Sequence, residues 1–242
     1  MKVDILWTPA KFQFQHQPYA AQTVAVVIDI LRATTCMACA LHAGAEKVFA
    51  ASSHEHARQI KMSLPDALLC GEKNHSKPDD FDFGNSPLEF TPQNVQGRVL
   101  IHASSNGTRA VVAMKKAGLG KIYTGSFRQL SVLVEVLQKE IKMPERTRLI
   151  FATAGTLDGA SYEDLLFAAA LVSELQLNHP ILSLWKVSNR MRLFDLLCSS
   201  RNGRALMRKG LEADIMAASE IDASPVLTTV SESGFVVATE KA

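Results

Sequence analysis

Three stretches of the sequence set charged or hydroxyl residues where an apolar run gives way to a helical pattern. The first reads Val27-Ile28-Asp29-Ile30-Leu31-Arg32-Ala33-Thr34-Thr35. The second reads His102-Ala103-Ser104-Ser105-Asn106-Gly107-Thr108-Arg109, and the third runs from Phe151-Ala152-Thr153-Ala154-Gly155 to Ser161-Tyr162-Glu163-Asp164. Asp29 falls near the carboxyl end of an apolar run, the end at which open parallel sheets place ligand-binding groups. A carboxylate buried there needs a cation, a metal ion or several hydrogen-bond donors. Arg32 and Arg109 each stand beside a helix start, whose unpaired N–H groups and positive dipole end favour anions. Guanidinium groups bind phosphate or sulfonate oxygens in a fixed fork. In the third stretch, Ser161 followed by Glu163 and Asp164 reads as a helix cap with first-turn acids. The same acids could equally bind a metal ion or position a water.

The first two stretches belong to a strand-loop-helix unit that recurs 74 positions on, without gaps: Thr34 falls on Thr108, Gly44 on Gly118, Lys47 on Lys121 and Ser52 on Ser126. Two such units in one parallel sheet would aim their loops at the same edge. The converging helix starts then suit a doubly anionic ligand.

Between the two units, residues 71–97 are rich in Pro, Asp, Asn, Ser and Gly and hold no period, so they read as a functional loop. Gly71-Glu72-Lys73 and Phe81-Asp82-Phe83-Gly84-Asn85-Ser86-Pro87 supply carboxylates and an amide that suit an oxygen-liganded Mg²⁺. Cys36 and Cys39 form a C-x-x-C, but they lie in an apolar helical stretch with only His42 nearby. They read as small core residues rather than a metal or redox pair.

The elements that must position these residues alternate. Strand-like runs at 24–30, 47–50, 67–70, 99–102, 122–124 and 149–152 are separated by helical patterns at 35–42, 54–62, 108–116, 130–141 and 162–175. The expected fold class is α/β, a largely parallel sheet with helices on both faces. Past Pro180 the pattern turns helical, with helices expected at 184–198, 203–209 and 211–218 before two short strands at 226–230 and 235–238. The reading is a single domain over 1–242, with a helical C-terminal part or subdomain from about 180.

Composition narrows the function. Of 242 residues, 26 are Lys or Arg and 24 Asp or Glu, scattered rather than striped, which gives no electrostatic footprint for nucleic acid. No apolar run nears the length of a membrane span and no signal-peptide pattern opens the chain, so a cytoplasmic location is the default. Four cysteines are too few for a disulfide framework. A small molecule is the expected partner, and association into a homo-oligomer stays open.

The segments at 27–35, 71–73, 81–87, 106–110 (Asn-Gly-Thr-Arg-Ala) and 154–164, in that order, resemble the 2-phosphosulfolactate phosphatase family. The resemblance covers about residues 24–175. It implies a Mg²⁺-dependent hydrolase that releases phosphate from 2-phosphosulfolactate to give sulfolactate, a step of coenzyme M biosynthesis. The chain departs from the family pattern at Lys73, at Ala103-Ser104-Ser105, at Thr153 and around 180–185. Combined with the resemblance, the reading nominates Asp29, Glu72, Asp82 and Glu163 as catalytic, and Asp29, Glu72, Asp82 and Asp164 as metal ligands. Arg32, Thr34, Thr35, Asn85, Ser105, Asn106, Gly107, Thr108 and Arg109 are nominated to bind a small phosphorylated organic acid. The rival reading is a catalytically weak anion-binding or regulatory protein on the same fold.

Overall fold

The structure, a computed structural model, describes residues 2–7, 23–119, 121–141, 147–155 and 159–239. Nine strands form one sheet: β1 (Lys2–Leu6), β2 (Thr23–Ile28), β3 (Lys47–Ala50), β4 (Leu68–Gly71), β5 (Val99–Ala103), β6 (Lys121–Gly125), β7 (Arg148–Thr153), β8 (Leu227–Val230) and β9 (Phe235–Thr239), in the order β1-β7-β2-β6-β8-β9-β3-β5-β4. The helices are α1 (Ala33–His42), α2 (His54–Ser63), α3 (Pro92–Val95), α4 (Gly107–Lys116), α5 (Leu130–Glu140), α6 (Tyr162–Glu174), α7 (Leu182–Ser188), α8 (Leu193–Ser199), α9 (Arg201–Arg208) and α10 (Glu212–Ser219).

The fold is α/β with a mostly parallel mixed sheet. β2 shows why both faces are covered. Val24, Val26 and Ile28 enter a core with α5, α6 and the C-terminal helices, whereas Ala25 and Val27 enter a second core with α1 and α4. This period of two, with every residue buried, is that of a central strand clad by helices on both sides. Cys36 and Cys39 sit in the second core, where burial pushes both thiols up, as packing residues should be. Leu196 and Leu197 of α8, Leu206 of α9 and Ile215 of α10 share the first core with the sheet. No helix among the described residues is long and apolar enough to cross a membrane.

Two expectations change. The repeated units do not share a parallel set: β1, β7, β2 and β6 run together, β3, β5 and β4 run together, and the antiparallel pair β8–β9 separates them. β2 and β5 therefore point in opposite senses within the sheet. Their loops meet nonetheless, with Gly107 packed against Asp29 and Ala33. The helix expected at 184–198 is two, α7 and α8, broken at Asn189 to Arg192, where four exposed residues, Met191 among them, bury no apolar stripe.

Candidate active site

The first junction is built by hydrogen bonds from its own side chains. Thr34 Oγ1 accepts from the Asp29 N–H at 2.9 Å and lies 2.7 Å from the Gly125 carbonyl, while Asp29 Oδ1 accepts from Ala33 N–H at 3.2 Å and so caps α1. Thr35 Oγ1 donates to Ile30 O at 2.8 Å. Both threonines are fully buried. They fix the loop and, although nominated as substrate ligands, are not among the residues that line the cavity.

The second junction repeats this device. Thr108 Oγ1 accepts from Ser104 N–H at 3.0 Å and donates to Ser104 O at 3.2 Å, while Ser104 Oγ accepts from Thr108 N–H at 3.0 Å. Ser104 thus does for α4 what Asp29 does for α1. The two junctions touch: a Cβ on Gly107 would lie 2.4 Å from Asp29 Oδ2 and 2.6 Å from Ala33 Cβ, so only glycine lets the loops approach this closely. Thr108, like Thr34, is an interior brace. Arg109 is exposed and lies outside the cavity, because the helical turn after Thr108 carries it to the outer face of α4.

The loop at 71–97 brings a third wall. Gly71 has φ +147°, and a Cβ there would lie 1.9 Å from Ala103 O; the close approach lets Glu72 N–H bond that oxygen at 3.1 Å. Glu72 Oε1 then accepts from Ser105 N–H at 2.9 Å and Oε2 from His75 N–H at 2.7 Å. Burial opposes the charge of Glu72, but these donors outweigh it and hold its carboxyl below the usual range. Asn85 lines the cavity, with its Oδ1 2.9 Å from Nε2 of His102, an imidazole that burial depresses to a pKa of about 4 and so keeps neutral. Asp82, nominated as a catalytic and metal-binding residue, is placed apart from the other nominated acids. It is exposed, lies outside the cavity, and spends Oδ2 on the Leu69 N–H at 2.7 Å, extending the pairing of β4.

From the third junction come two buried acids. Asp164 accepts from Ile30 N–H at 2.9 Å and from Gly155 N–H at 3.3 Å, tying α6 to the Asp29 loop. Glu163 Oε1 accepts from Asn202 at 2.7 Å, and its buried Oε2 has no hydrogen-bond partner among the described residues. Thr156, Leu157 and Asp158 lie outside the described residues. The negative charge of Asp29 is crowded: burial, then the charges of Glu163 and Glu72, push its pKa up to about 7. Burial, then Asp29 and Glu163, likewise raise Asp164 well above the carboxylate range.

These walls enclose a cavity of about 520 Å³, within the span of ordinary ligand sites. Asp29, Glu72, Arg32, Asn85, Ser104, Ser105 and Asn106 line it. The remaining wall comes from residues that the sequence analysis passed over: Asn74 and His75 from the loop, and Arg201, Asn202, Ala205, Arg208 and Lys209 from α9 and its C-terminal end. Asp214 of α10 was missed as well. Its Oδ2 accepts from Arg32 NH1 at 2.5 Å and its Oδ1 from Ser86 Oγ at 2.5 Å, with both charged side chains buried. A carboxylate three residues after Leu211 and next to Ile215 falls on the buried face of its helix, and that position was the available signal.

Among the described residues no three His, Cys, Asp or Glu side chains form a group that could hold a metal ion, so Asp29, Glu72, Asp82 and Asp164 are not gathered into one such group. Among the described residues, Asp29 and Glu72 are the acids that face the cavity. The arrangement pairs a carboxylate floor with a cationic wall, which suits an anionic ligand whose reacting end meets the acids.

Known proteins match along the whole site. The sequence profile described as 2-phosphosulpholactate phosphatase matches residues 11–233. A probable 2-phosphosulfolactate phosphatase of Pseudothermotoga lettingae is 31% identical over 241 residues, covering 97% of this chain and 98% of its own. Proteins with the same name from Symbiobacterium thermophilum (33% identical, 90% of this chain and 95% of its own) and Thermotoga petrophila (35%, 73% and 70%) are also similar. The chain belongs to the 2-phosphosulfolactate phosphatase family, whose named members are phosphoric monoester hydrolases.

Proposed function

We propose that the protein hydrolyses 2-phosphosulfolactate, or a closely similar phosphorylated organic acid, to the hydroxy acid and phosphate, with Mg²⁺ as its cofactor. The carrying observation is the cavity in which the two repeated junctions meet at Asp29, with the cations of α9 among its lining residues. Phosphate monoesters are among the slowest esters to hydrolyse unaided, so charge stabilisation has to supply much of the acceleration.

The donor set fits Mg²⁺. It consists of oxygens, with two carboxylates at the cavity surface, and Mg²⁺ commonly takes one or two protein carboxylates together with waters and substrate oxygens. The raised pKa values of Asp29 and Asp164, and a Glu163 Oε2 without a hydrogen-bond partner among the described residues, mark carboxyls whose charged form a cation would favour. Asp29 and Glu72 would hold the ion, with Asp164 behind. When bound, it would polarise the phosphoryl group and offset its growing charge.

The protein's own groups set the geometry. Asp214 fixes the Arg32 guanidinium at the cavity wall and His75 O takes a second, longer bond from it at 3.4 Å, so that the remaining N–H groups would orient a phosphoryl oxygen. His102 fixes one end of the Asn85 amide, so that its other end is presented to the ligand. In the reaction, the oxygen of a water bonds to phosphorus as the ester P–O bond breaks, and the water's proton ends on the oxygen of the released hydroxy acid. The test is phosphate release from 2-phosphosulfolactate by purified protein, with Mg²⁺ and with EDTA. Turnover that is lost to EDTA and restored by Mg²⁺ is expected. Full turnover after exhaustive chelation removes the metal, and no release from any phosphorylated hydroxy acid favours the anion-binding alternative.

A further inference from the structure

Helix α9 presents an unusual polar face. Arg201, Ala205 and Arg208 fall at i, i+4 and i+7, with Asn202 and Lys209 one place on, and all five line the cavity. Its opposite side carries the buried Gly203 and Leu206, and a Cβ on Gly203 would lie 1.9 Å from Leu197 O, so the helix is seated tightly against α8. The face that would normally be given to solvent is therefore held over the site. Three cations from α9 and the residue that follows it join Arg32, whose charge is already matched by Asp214. Lys209 Nζ donates to Asn74 O at 2.6 Å and to Ser76 Oγ at 3.1 Å, tying the end of α9 to the loop on the other side of the cavity. Arg201 and Arg208 pair with no carboxylate among the described residues.

We infer that α9 is the specificity element of the site, and that Arg201 and Arg208 bind the non-reacting acid groups of the substrate while the phosphate faces Asp29 and Arg32. The inference rests on the phosphatase reading for its reaction and on the placement of α9 for its ligand chemistry. A lone phosphate dianion does not need two further cations on a separate wall. A phosphomonoester that also carries a carboxylate and a sulfonate does. Because these acid groups do not change charge during hydrolysis, Arg201 and Arg208 contribute uniform binding, which appears in KM rather than kcat.

Two measurements separate this inference from the activity it rests on. The first compares kcat/KM for 2-phosphosulfolactate, 2-phospholactate and 2-propyl phosphate, which carry two, one and no additional acid groups. Arg201→Gln and Arg208→Gln should each lower the preference for the first over the last by about tenfold or more, mainly through KM. The second is calorimetric binding of sulfolactate and of inorganic phosphate to the same proteins. Each variant should lose about tenfold more affinity for sulfolactate than for phosphate. An unaltered preference, or equal losses for both ligands, overturns the assignment, and so does a wild-type protein that binds no sulfolactate. Sulfolactate binding that depends on both arginines, in a protein that releases no phosphate, keeps the α9 assignment and removes the phosphatase reading.

Discussion

The two repeated junctions share a backbone device and divide the chemistry. In each, a buried threonine clasps the strand end and the residue at that end caps the following helix. At the first junction the capping residue is Asp29 and the loop adds a buried, ion-paired Arg32. At the second it is Ser104, and the loop adds Gly107, which makes room for Asp29, and an Arg109 that turns outward. Duplicated architecture therefore does not mean duplicated placement of charge: one copy sets Asp29 and Arg32 at the cavity, and the other supplies neutral groups and space.

The comparison breaks most visibly at the caps. Asp29→Asn keeps an acceptor for Ala33 N–H but removes the charge, and turnover is expected to fall by roughly 10³-fold or more, read as phosphate release. Stability should move the other way. The carboxyl of Asp29 is raised from 3.8 to about 7, so between those values the folded state holds more protons than the unfolded chain, and metal-free stability falls as pH rises through the window. Thermal melts from pH 4 to 8 in EDTA should show a shallower decline for Asp29→Asn than for wild type. A parallel decline would mean that Asp29 is not the crowded charge.

Next in size is Asp214→Asn, which leaves Arg32 buried without its counter-charge. A loss of about 3–5 kcal/mol in urea unfolding is expected, because a stranded buried charge costs more than the pair contributes. Gly107→Ala drives a methyl into Asp29 and Ala33. It should destabilise by about 1–3 kcal/mol and lower kcat/KM, since both loops have to shift. The smallest effect belongs to Arg109→Lys, which should keep wild-type kcat and KM. If it instead matches Arg32→Lys in its loss, the two arginines are equivalent and the asymmetry drawn between the junctions is wrong.

Local pattern carried much of the fold. β2, β5 and β7 are apolar runs too continuous to be anything but central strands, and α1, α4 and α6 follow them at recognisable junctions. β1 was missed because Lys2 and Asp4 interrupt its apolar residues. The placement of β8 and β9 was illegible for another reason: strand identity is written locally, but strand neighbours are chosen by long-range pairing. The candidate site divides the same way. Asp29, Glu72, Asn85, Ser105 and Asn106 stand in sequence motifs and do line the cavity. Asp82 stands in the same motif as Asn85, yet the alternation of an extended segment sends it outward. Arg201, Arg208 and Lys209 look in sequence like any solvated helix face. Only the seating of Leu206 and Gly203 turns that face onto the site.

The position of β8 and β9 has a consequence for how the molecule is made. The two parallel sets of strands are complete in sequence by Thr153, but the pair that joins them begins at Leu227. During synthesis the sheet stays in two pieces until the strands at the C-terminal end of the described chain have emerged, and the bridging contacts span large sequence separations that slow their formation. Shortening a chain at its end commonly trims a dispensable tail. Removal of residues 227–239 would instead part the sheet at its middle and expose β6 and β3 as raw edges, open to pairing between molecules.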